Sequence, residues 1–459
     1  MGRNSKRFVL GCTAACLFNG MGEVDAAERP NVIYILADDL GYGDIGRLGQ
    51  KEILTPSLDR MVDEGLLFTQ HYAGGPVCGP SRACLMTGMS QAVGHIKGNA
   101  GRLQERENLR DEDVTIAEKL KEAGYQTACF GKWGMGPMGM SGYPLNQGFD
   151  MFVGYDTHKS AHDYYPEQLR KDGGVLALAE GTYSHDVFTD EALKYLREDH
   201  GKPFFMYLAY TIPHGPYNPP DVKPYEKKDW PDKHKKYAAM ITRMDRDIGR
   251  LLDLLVARGM AENTLVIFAS DNGPQSEFGR GPNAMTKFFK SSGGLRGIKR
   301  DVFEGGVRVP MIAWWPGRVK VGVTDHVSGF QDLMPTLCEL VGADVPKGSD
   351  GISMLPTLIG KKGTQTKHDY LYWEFINMGK GAGGRQGVLF VDENVKAVRF
   401  GLHDDVRLYD LENDLGEARD ISDQDSPLAE RLGHYMDEVR SESVLWPREM
   451  LEKGWRKPK

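Results

Sequence analysis

"NVIYILADD", residues 31–39, decides the fold: a near-continuous apolar, β-branched run that stops on two adjacent carboxylates. An amphipathic helix would break such a run with polar residues every three or four positions, and a half-exposed strand would alternate. A run that is apolar on both faces fits a strand buried inside a mostly parallel sheet. The same texture returns in "TACF" at 127–130, "FFMYLAY" at 204–210, "TLVIFAS" at 264–270 and "MIAWW" at 311–315. Helical patterns lie between these runs. "TPSLDRMVDEGLLF" offers Thr55 as N-cap with Pro56 at the first helical position. "TIAEKLKEAGY" has Thr115 and Glu118 at capping-box spacing and Gly124 as a stop. "YAAMITRMDRDIGRLLDLLVARG" carries Met240, Ile241, Met244, Ile248, Leu251, Leu252 and Leu255 on one stripe. Alternating strands and helices predict an α/β fold, with a large mixed, mostly parallel sheet sandwiched by helices.

After about residue 345 the texture changes. "KGSDGISMLPTL" is a loop-rich crossing and "GKGAGGRQG" at 379–387 reads as a flexible stretch. "VLFVDENVKAVRFGLHDDVRLYDLEND" then reads as antiparallel strands, and "SPLAERLGHYMDEVRSE" as a closing helix. The expected organisation is a signal peptide at 1–26, a large α/β domain at 27–345 and a small C-terminal α+β subdomain with an antiparallel sheet at 346–459.

Composition narrows the function classes. With 40% apolar and 26% charged residues the chain is ordinary globular protein. A net charge of -7, and a basic cluster, "KKDWPDKHKK" at 227–236, interrupted by acids and proline, argue against nucleic acid as a partner. The first residues combine Arg3, Lys6 and Arg7, an apolar stretch from Phe8 to Phe18, and small residues at Val24, Ala26 and Ala27. That is a signal-peptide pattern, so a secreted or periplasmic protein is expected. "VLGC" at 9–12 lacks the preceding apolar run of a lipoprotein box. No later segment reaches the ~20 apolar residues of a membrane span. Cys78, Cys84, Cys129 and Cys338 are too dispersed for a disulfide framework or a CxxC zinc site. The last three read as buried apolar filler.

In open α/β sheets the ligand site lies beyond the carboxyl ends of the strands. The residues that follow the apolar runs are Asp38-Asp39, Asp271-Asn272-Gly273, Gly131-Lys132-Trp133 and, after "TIP", His214. Asp38-Asp39 alone could cap a turn. A second Asp-Asn pair at an equivalent strand end points instead to an oxygen cage with three negative charges, suited to calcium or magnesium.

"CGPSRACLMTG" at 78–88 resembles the C-x-P-S-R core of the sulfatase signature. "NVIYILADDLGYGD", "GKWGMG", "IPH", "ASDNGP", "GLRGIKRDVFEGGVRVPMIAWWPG" and "LYDLENDLGE" also resemble landmarks of that family, in its order. The resemblance implies an alkaline-phosphatase-like fold and hydrolysis of a sulfate monoester, with calcium ahead of magnesium as cofactor. It implies that a formylglycine-generating maturation enzyme converts Cys78 to formylglycine. Carried over, the metal ligands fall on Asp38, Asp39, Asp271 and Asn272, with residue 78 completing the shell. Arg82 resembles the arginine that holds the diol and the carboxylates, Lys132 and Lys299 the lysines that bind sulfate, and His214 the histidine near the leaving oxygen. The chemistry is coherent: sulfate oxygens repel a nucleophile, so a catalyst must neutralise them and supply an activated oxygen. A sugar alkoxide also leaves poorly without a general acid.

Two positions depart from the family's commoner form. Gly134 stands where a histidine usually follows the Lys-Trp pair, and Met89 where a basic residue usually follows Thr-Gly. "GYDTHKSAHDYYPEQL" supplies His158 and His162 nearby in sequence, and His162 is the candidate to enter the site as substrate contact or replacement base. "QGFD", "YWEF" and "GGRQ" are similar to a branch of carbohydrate sulfatases, some of which act on 4-sulfated galactose or N-acetylgalactosamine. Two alternatives stay open: a phosphodiesterase or phosphonate hydrolase of the same superfamily, and a non-catalytic binder of sulfated glycans. The first usually adds histidines to its metal set, which the oxygen-only strand ends do not.

Overall fold

Each of the five apolar runs lies in a strand, and all five strands belong to one sheet. The structure, a computed structural model, describes residues 29–99, 103–275, 284–376 and 384–452. The expected signal peptide lies outside them. In chain order the strands of this sheet are β1 (Asn31–Ala37), β2 (Leu66–Tyr72), β3 (Gln126–Lys132), β4 (Met151–Tyr155), β5 (Gln168–Lys171), β6 (Gly174–Ala177), β7 (Phe204–Ala209), β8 (Thr264–Ser270), β9 (Arg308–Trp314), β10 (Gly322–Thr324) and β11 (Ser328–Gly329). Their order across the sheet is β10-β2-β9-β8-β1-β7-β3-β4-β5-β6, with β11 also on β2. The centre, β8-β1-β7-β3-β4, is parallel. The "MIAWW" strand β9 instead runs antiparallel to β8 and β2. Its apolar run reports burial on both faces, which antiparallel pairing also satisfies once helices cover both sides.

Alternation along β1 shows the two cores. Ile33, Ile35 and Ala37 face a layer built by α1 (Pro56–Glu64), α4 (Ser184–Arg197) and α5 (Asp232–Ala257). Val32, Tyr34 and Leu36 face the layer of α2 (Cys78–Thr87), α3 (Ile116–Glu122) and the Leu333–Val341 helix. The α5 stripe is buried along its length, and Thr115 and Glu118 close their capping box. Two local details differ from expectation. Thr55 precedes α1 but its hydroxyl makes no cap bond; the Ser57 and Leu58 amides donate to the Asp245 carboxylate, at 3.0 and 2.8 Å. The "GLLF" tail of the same stretch begins β2, because three consecutive apolar side chains cannot all lie on one helix stripe but can fill both faces of a covered strand.

The second sheet is antiparallel, in the order β12 (Tyr370–Phe375), β13 (Arg385–Phe390), β14 (Val395–Phe400), β15 (Arg407–Asp410). The Ser426–Glu438 helix covers one face through Leu428, Leu432 and Met436. The other face packs Trp373, Leu389 and Val398 on Tyr72, Val302 and Val307. Arg385 to Gly387, within the stretch read as flexible, are strand: β13 is bonded on both sides, which fixes its backbone. Residues 379–383 of that stretch lie outside the described residues. A buried ionic junction crosses between the sheets. Lys396 Nζ is 3.1 Å from Glu304 Oε1 and 4.0 Å from the Trp373 ring centre, Tyr72 donates to Glu304 Oε2 at 2.8 Å, and the Glu304 amide donates to Glu417 at 2.8 Å.

Candidate active site

Neighbouring parallel strands β8, β1, β7 and β3 end at the same edge, so the residues that follow them meet. Pairing continues one step past the strands: the Asp271 amide donates to the Ala37 carbonyl at 3.0 Å and the Asp38 amide to the Ile212 carbonyl at 3.2 Å. Asp39 then takes a left-handed backbone, φ 69°, which aspartate tolerates better than most residues. That twist sends consecutive carboxylates to one centre instead of to opposite faces. Ligand atoms of Asp38, Asp39 and Cys78 all lie within 4.8 Å of one another. Asn272 donates through Nδ2 to Asp39 Oδ1 at 2.7 Å, while its Oδ1 is buried and unpaired. A buried amide oxygen without a donor, beside three buried carboxylates, is a donor set that fits a hard divalent cation.

Cys78 is the first residue of α2, whose ten residues are all buried, and its sulfur is 3.7 Å from Asp38 Oδ1. One turn on, Arg82 lies on the same helix face. Its Nε and Nη2 donate to Asp271 Oδ2 at 3.1 and 2.8 Å, its Nη1 donates to the Lys132 carbonyl at 2.9 Å, and Nη2 is 3.6 Å from Asp38. Lys132, the last residue of β3, reaches Asp38 Oδ2 at 2.7 Å. Lys299 reaches Asp39 Oδ2 at 2.8 Å, its amide fixed to the Pro274 carbonyl at 2.9 Å. His214 Nε2 is 3.5 Å from the same Asp39 oxygen, and Nδ1 donates to the Gly215 carbonyl at 2.5 Å. A carbonyl only accepts, so the proton is on Nδ1.

Burial opposes ionisation at all of these groups, and their charges decide the result. Asp38 stays well below the usual carboxylate range because Lys132, His214 and Arg82 outweigh its desolvation. At Asp271 burial, Asp38 and Asp39 win over Arg82, and its pKa rises to about 7. Burial works against the charge of Lys132, and Asp38 more than restores it. His214 is pushed well below the ordinary histidine value by burial and by Lys299. Burial lifts the Cys78 thiol to about 12, so the unmodified cysteine is a poor nucleophile at neutral pH.

The two loop histidines part company. His162 is exposed and stacks on the buried His214 ring, 4.4 Å between centres and 11° between planes. His158 is buried beside Gly134. Four further residues frame the site, and of these only Tyr164 stood out in the sequence. Asn99 accepts from the Gly79 amide at 2.9 Å, Gln275 accepts from the Gly215 amide at 2.7 Å, Tyr164 donates to the His214 carbonyl, and Glu107 stands 3.3 Å from His158 Nδ1. Only the loop around Tyr164 carried a sequence signal, its cluster of histidines and tyrosines.

The family profile described as Sulfatase matches residues 30–343, and the one described as N-sulphoglucosamine sulphohydrolase, C-terminal, matches residues 298–442. The chain is 31% identical to human N-acetylgalactosamine-6-sulfatase over 480 residues, covering 92% of this chain and 87% of that protein. It is 33% identical to human arylsulfatase A over 372 residues, 73% of this chain and 68% of that one. Among solved structures, Ps i-CgsB in complex with k-i-k-neocarrahexaose superposes with a TM-score of 0.78 at 28% identity, over 93% of this chain and 95% of the other.

Proposed function

The chain belongs to the sulfatase family, enzymes that hydrolyse sulfuric esters, and from that premise we propose that it removes a sulfate group from a galactose or N-acetylgalactosamine unit of a sulfated glycan. The observation that carries the reading is the buried cluster of Cys78, three carboxylates, Asn272, Arg82, two lysines and His214 at one sheet edge. The human relative named for an N-acetylgalactosamine sulfate and the solved relative holding a neocarrahexaose support a sugar of this type. Position 4 of the sugar is the first candidate, on the similarity of "QGFD", "YWEF" and "GGRQ".

Formylglycine at position 78, made from Cys78 by a maturation enzyme, supplies in its hydrated form one hydroxyl to attack sulfur and a second to release sulfate later. A calcium ion held by Asp38, Asp39, Asp271 and Asn272 supplies positive charge that favours the deprotonated nucleophile. The protein's own residues do the rest. Lys132 and Lys299 each keep N–H donors beyond those given to Asp38 and Asp39, and these hold the sulfate oxygens. Arg82 fixes Asp271 and the end of β3, so the cage and the sulfate lysine keep one geometry. His214, its plane set by Gly215 and by the His162 stack, protonates the departing sugar oxygen through Nε2; an anionic sulfate beside it favours the protonated ring. His162, on the solvent side of that stack, contacts the leaving sugar. The basic start of the chain and its apolar stretch support export, to the periplasm or beyond the cell. Among the described residues no helix is long and apolar enough to cross a membrane.

The test compares protein co-expressed with a formylglycine-generating enzyme and its Cys78→Ala variant. Both are assayed on 4-nitrophenyl sulfate and on 4- and 6-sulfated galactose and N-acetylgalactosamine oligosaccharides, with mass spectrometry of the peptide carrying residue 78. The reading requires conversion of Cys78, turnover by the matured protein, and none by Cys78→Ala. Equal turnover by both sinks the mechanism; preference for a 6-sulfate sinks the position assignment.

A further inference from the structure

Gly134 lies two residues beyond Lys132 with φ at 77°. Another residue's ring fills the space its side chain would take. A Cβ built there would lie 2.7 Å from both His158 ring nitrogens, so the imidazole rests against the bare glycine backbone. Any side chain at 134 would displace it. His158 is 8% exposed, neither ring nitrogen has an aligned hydrogen-bond partner, and Nδ1 faces a Glu107 carboxylate oxygen at 3.3 Å. The other oxygen of Glu107 is 3.4 Å from where a Cβ on Gly79 would stand, which puts this carboxylate beside the residue that follows position 78. Burial, aided by the charges of Lys132 and Arg82 and opposed by Glu107, lowers the His158 pKa and favours the neutral ring.

The proposed reaction leaves sulfate bonded to one oxygen of residue 78, and releasing it requires a base. Asp38, Asp39 and Asp271 are committed to cations; Lys132, Lys299 and Arg82 carry protons already; His214 serves the departing sugar. His158 is a buried neutral ring on the Lys132 side, whereas His162 is exposed and stacked on His214. We propose that His158, held by Glu107 in the space that Gly134 leaves open, is the base that frees sulfate from residue 78, an inference that rests on the function proposed above. The ring nitrogen takes the proton of the remaining hydroxyl, and the O–H electron pair becomes the second bond of the aldehyde. The C–O bond to sulfate breaks, its pair leaves on the sulfate dianion, and one water rehydrates the aldehyde.

Rapid-quench kinetics of matured protein on 4-nitrophenyl sulfate, with mass spectrometry of the peptide carrying residue 78, tests this. His158→Gln and His158→Ala should release one nitrophenol per site at the wild-type rate and then turn over about 100-fold more slowly, with sulfate retained on residue 78. Added imidazole should restore turnover to His158→Ala, which also reports that this variant is folded. Glu107→Gln should show the same burst with a smaller steady-state loss. A slowed first turnover without retained sulfate, full activity in both His158 variants, or failure of imidazole to rescue overturns the assignment. Inactivity of the matured wild type would instead refute the sulfatase reading itself, so the two failures are distinguishable.

Discussion

Stripping a divalent cation such as calcium from the carboxylate cage should make stability fall more steeply as pH rises. Asp271 is held at about 7, against 3.8 for a free carboxyl, by burial and by Asp38 and Asp39. Without a cation this raised pKa makes the folded state keep a proton that the unfolded chain has already lost. The sign follows: below about pH 4 both states are protonated and the group is neutral to stability, between pH 4 and 7 stability falls, and above pH 7 the full penalty applies. The difference of about 3 units corresponds to about 4 kcal/mol as an upper figure. With calcium bound the carboxylates lose their mutual repulsion, and protons compete with the ion, so its contribution to stability grows as pH rises. Urea unfolding at pH 5 and 8, calcium-stripped and calcium-loaded, measures this. Asp44 and Asp245, both raised to about 6 by burial, and Glu417, raised to about 8 by burial and Glu304, titrate in the same window. They lie outside the cage and cancel in the difference between the two series. Parallel pH profiles with and without calcium would refute a cation site at these residues, and Asp271→Asn should make the calcium-stripped profile shallower, leaving the slope that Asp44, Asp245 and Glu417 contribute.

Three further outcomes follow from the geometry. Lys299→Ala removes one sulfate donor and leaves Asp39 without its 2.8 Å partner, so kcat/KM on 4-nitrophenyl sulfate should fall by about 10²–10³, with a loss under tenfold counting against a sulfate-binding role. His162→Ala removes the stack on His214, and turnover of a sulfated sugar should drop roughly tenfold, the scale of one aromatic contact. A nitrophenol, which leaves without an acid, should be unaffected, and His162→Phe should restore the sugar rate; equal losses on both substrates would mean a different role. Lys396→Met breaks the buried pair with Glu304 and should cost about 3–5 kcal/mol in urea unfolding, and a change below about 1 kcal/mol would show that the junction is not held by that pair.

The strands that place the site were legible because two-face burial leaves an uninterrupted apolar run, and the polar residue that ends such a run is at the sheet edge by construction. Asp38, Asp39, Asp271 and Lys132 were found that way, and their convergence needed only a sheet that brings their strands together. What stayed hidden depends on contacts between segments distant in sequence. β4 and β6 are apolar but only five and four residues long, and β5 is mostly polar, so none makes a run long enough to mark a strand. Asp245 caps α1 from a helix some 190 residues away. Glu107 sits in a charged, loop-like stretch with nothing to mark it. Gly134 was visible as a departure, but its meaning was not: no spacing in "GKWGMG" says that the ring filling its place comes from residue 158. Direction was also invisible in β9, since an apolar run encodes covering layers and not the orientation of its neighbours.

Helix α2 is buried from end to end, with Cys78 at its head. No enzyme can grip the residues around position 78 once this helix is seated under the sheet edge. On the proposed reading, conversion of the cysteine has to happen while the chain is still extended, and folding closes the opportunity. A molecule that folds first keeps a thiol too weakly acidic to react and too enclosed to be repaired. The active share of any population of this protein is therefore fixed at synthesis by a race between modification and folding, and stabilising the fold would not raise it.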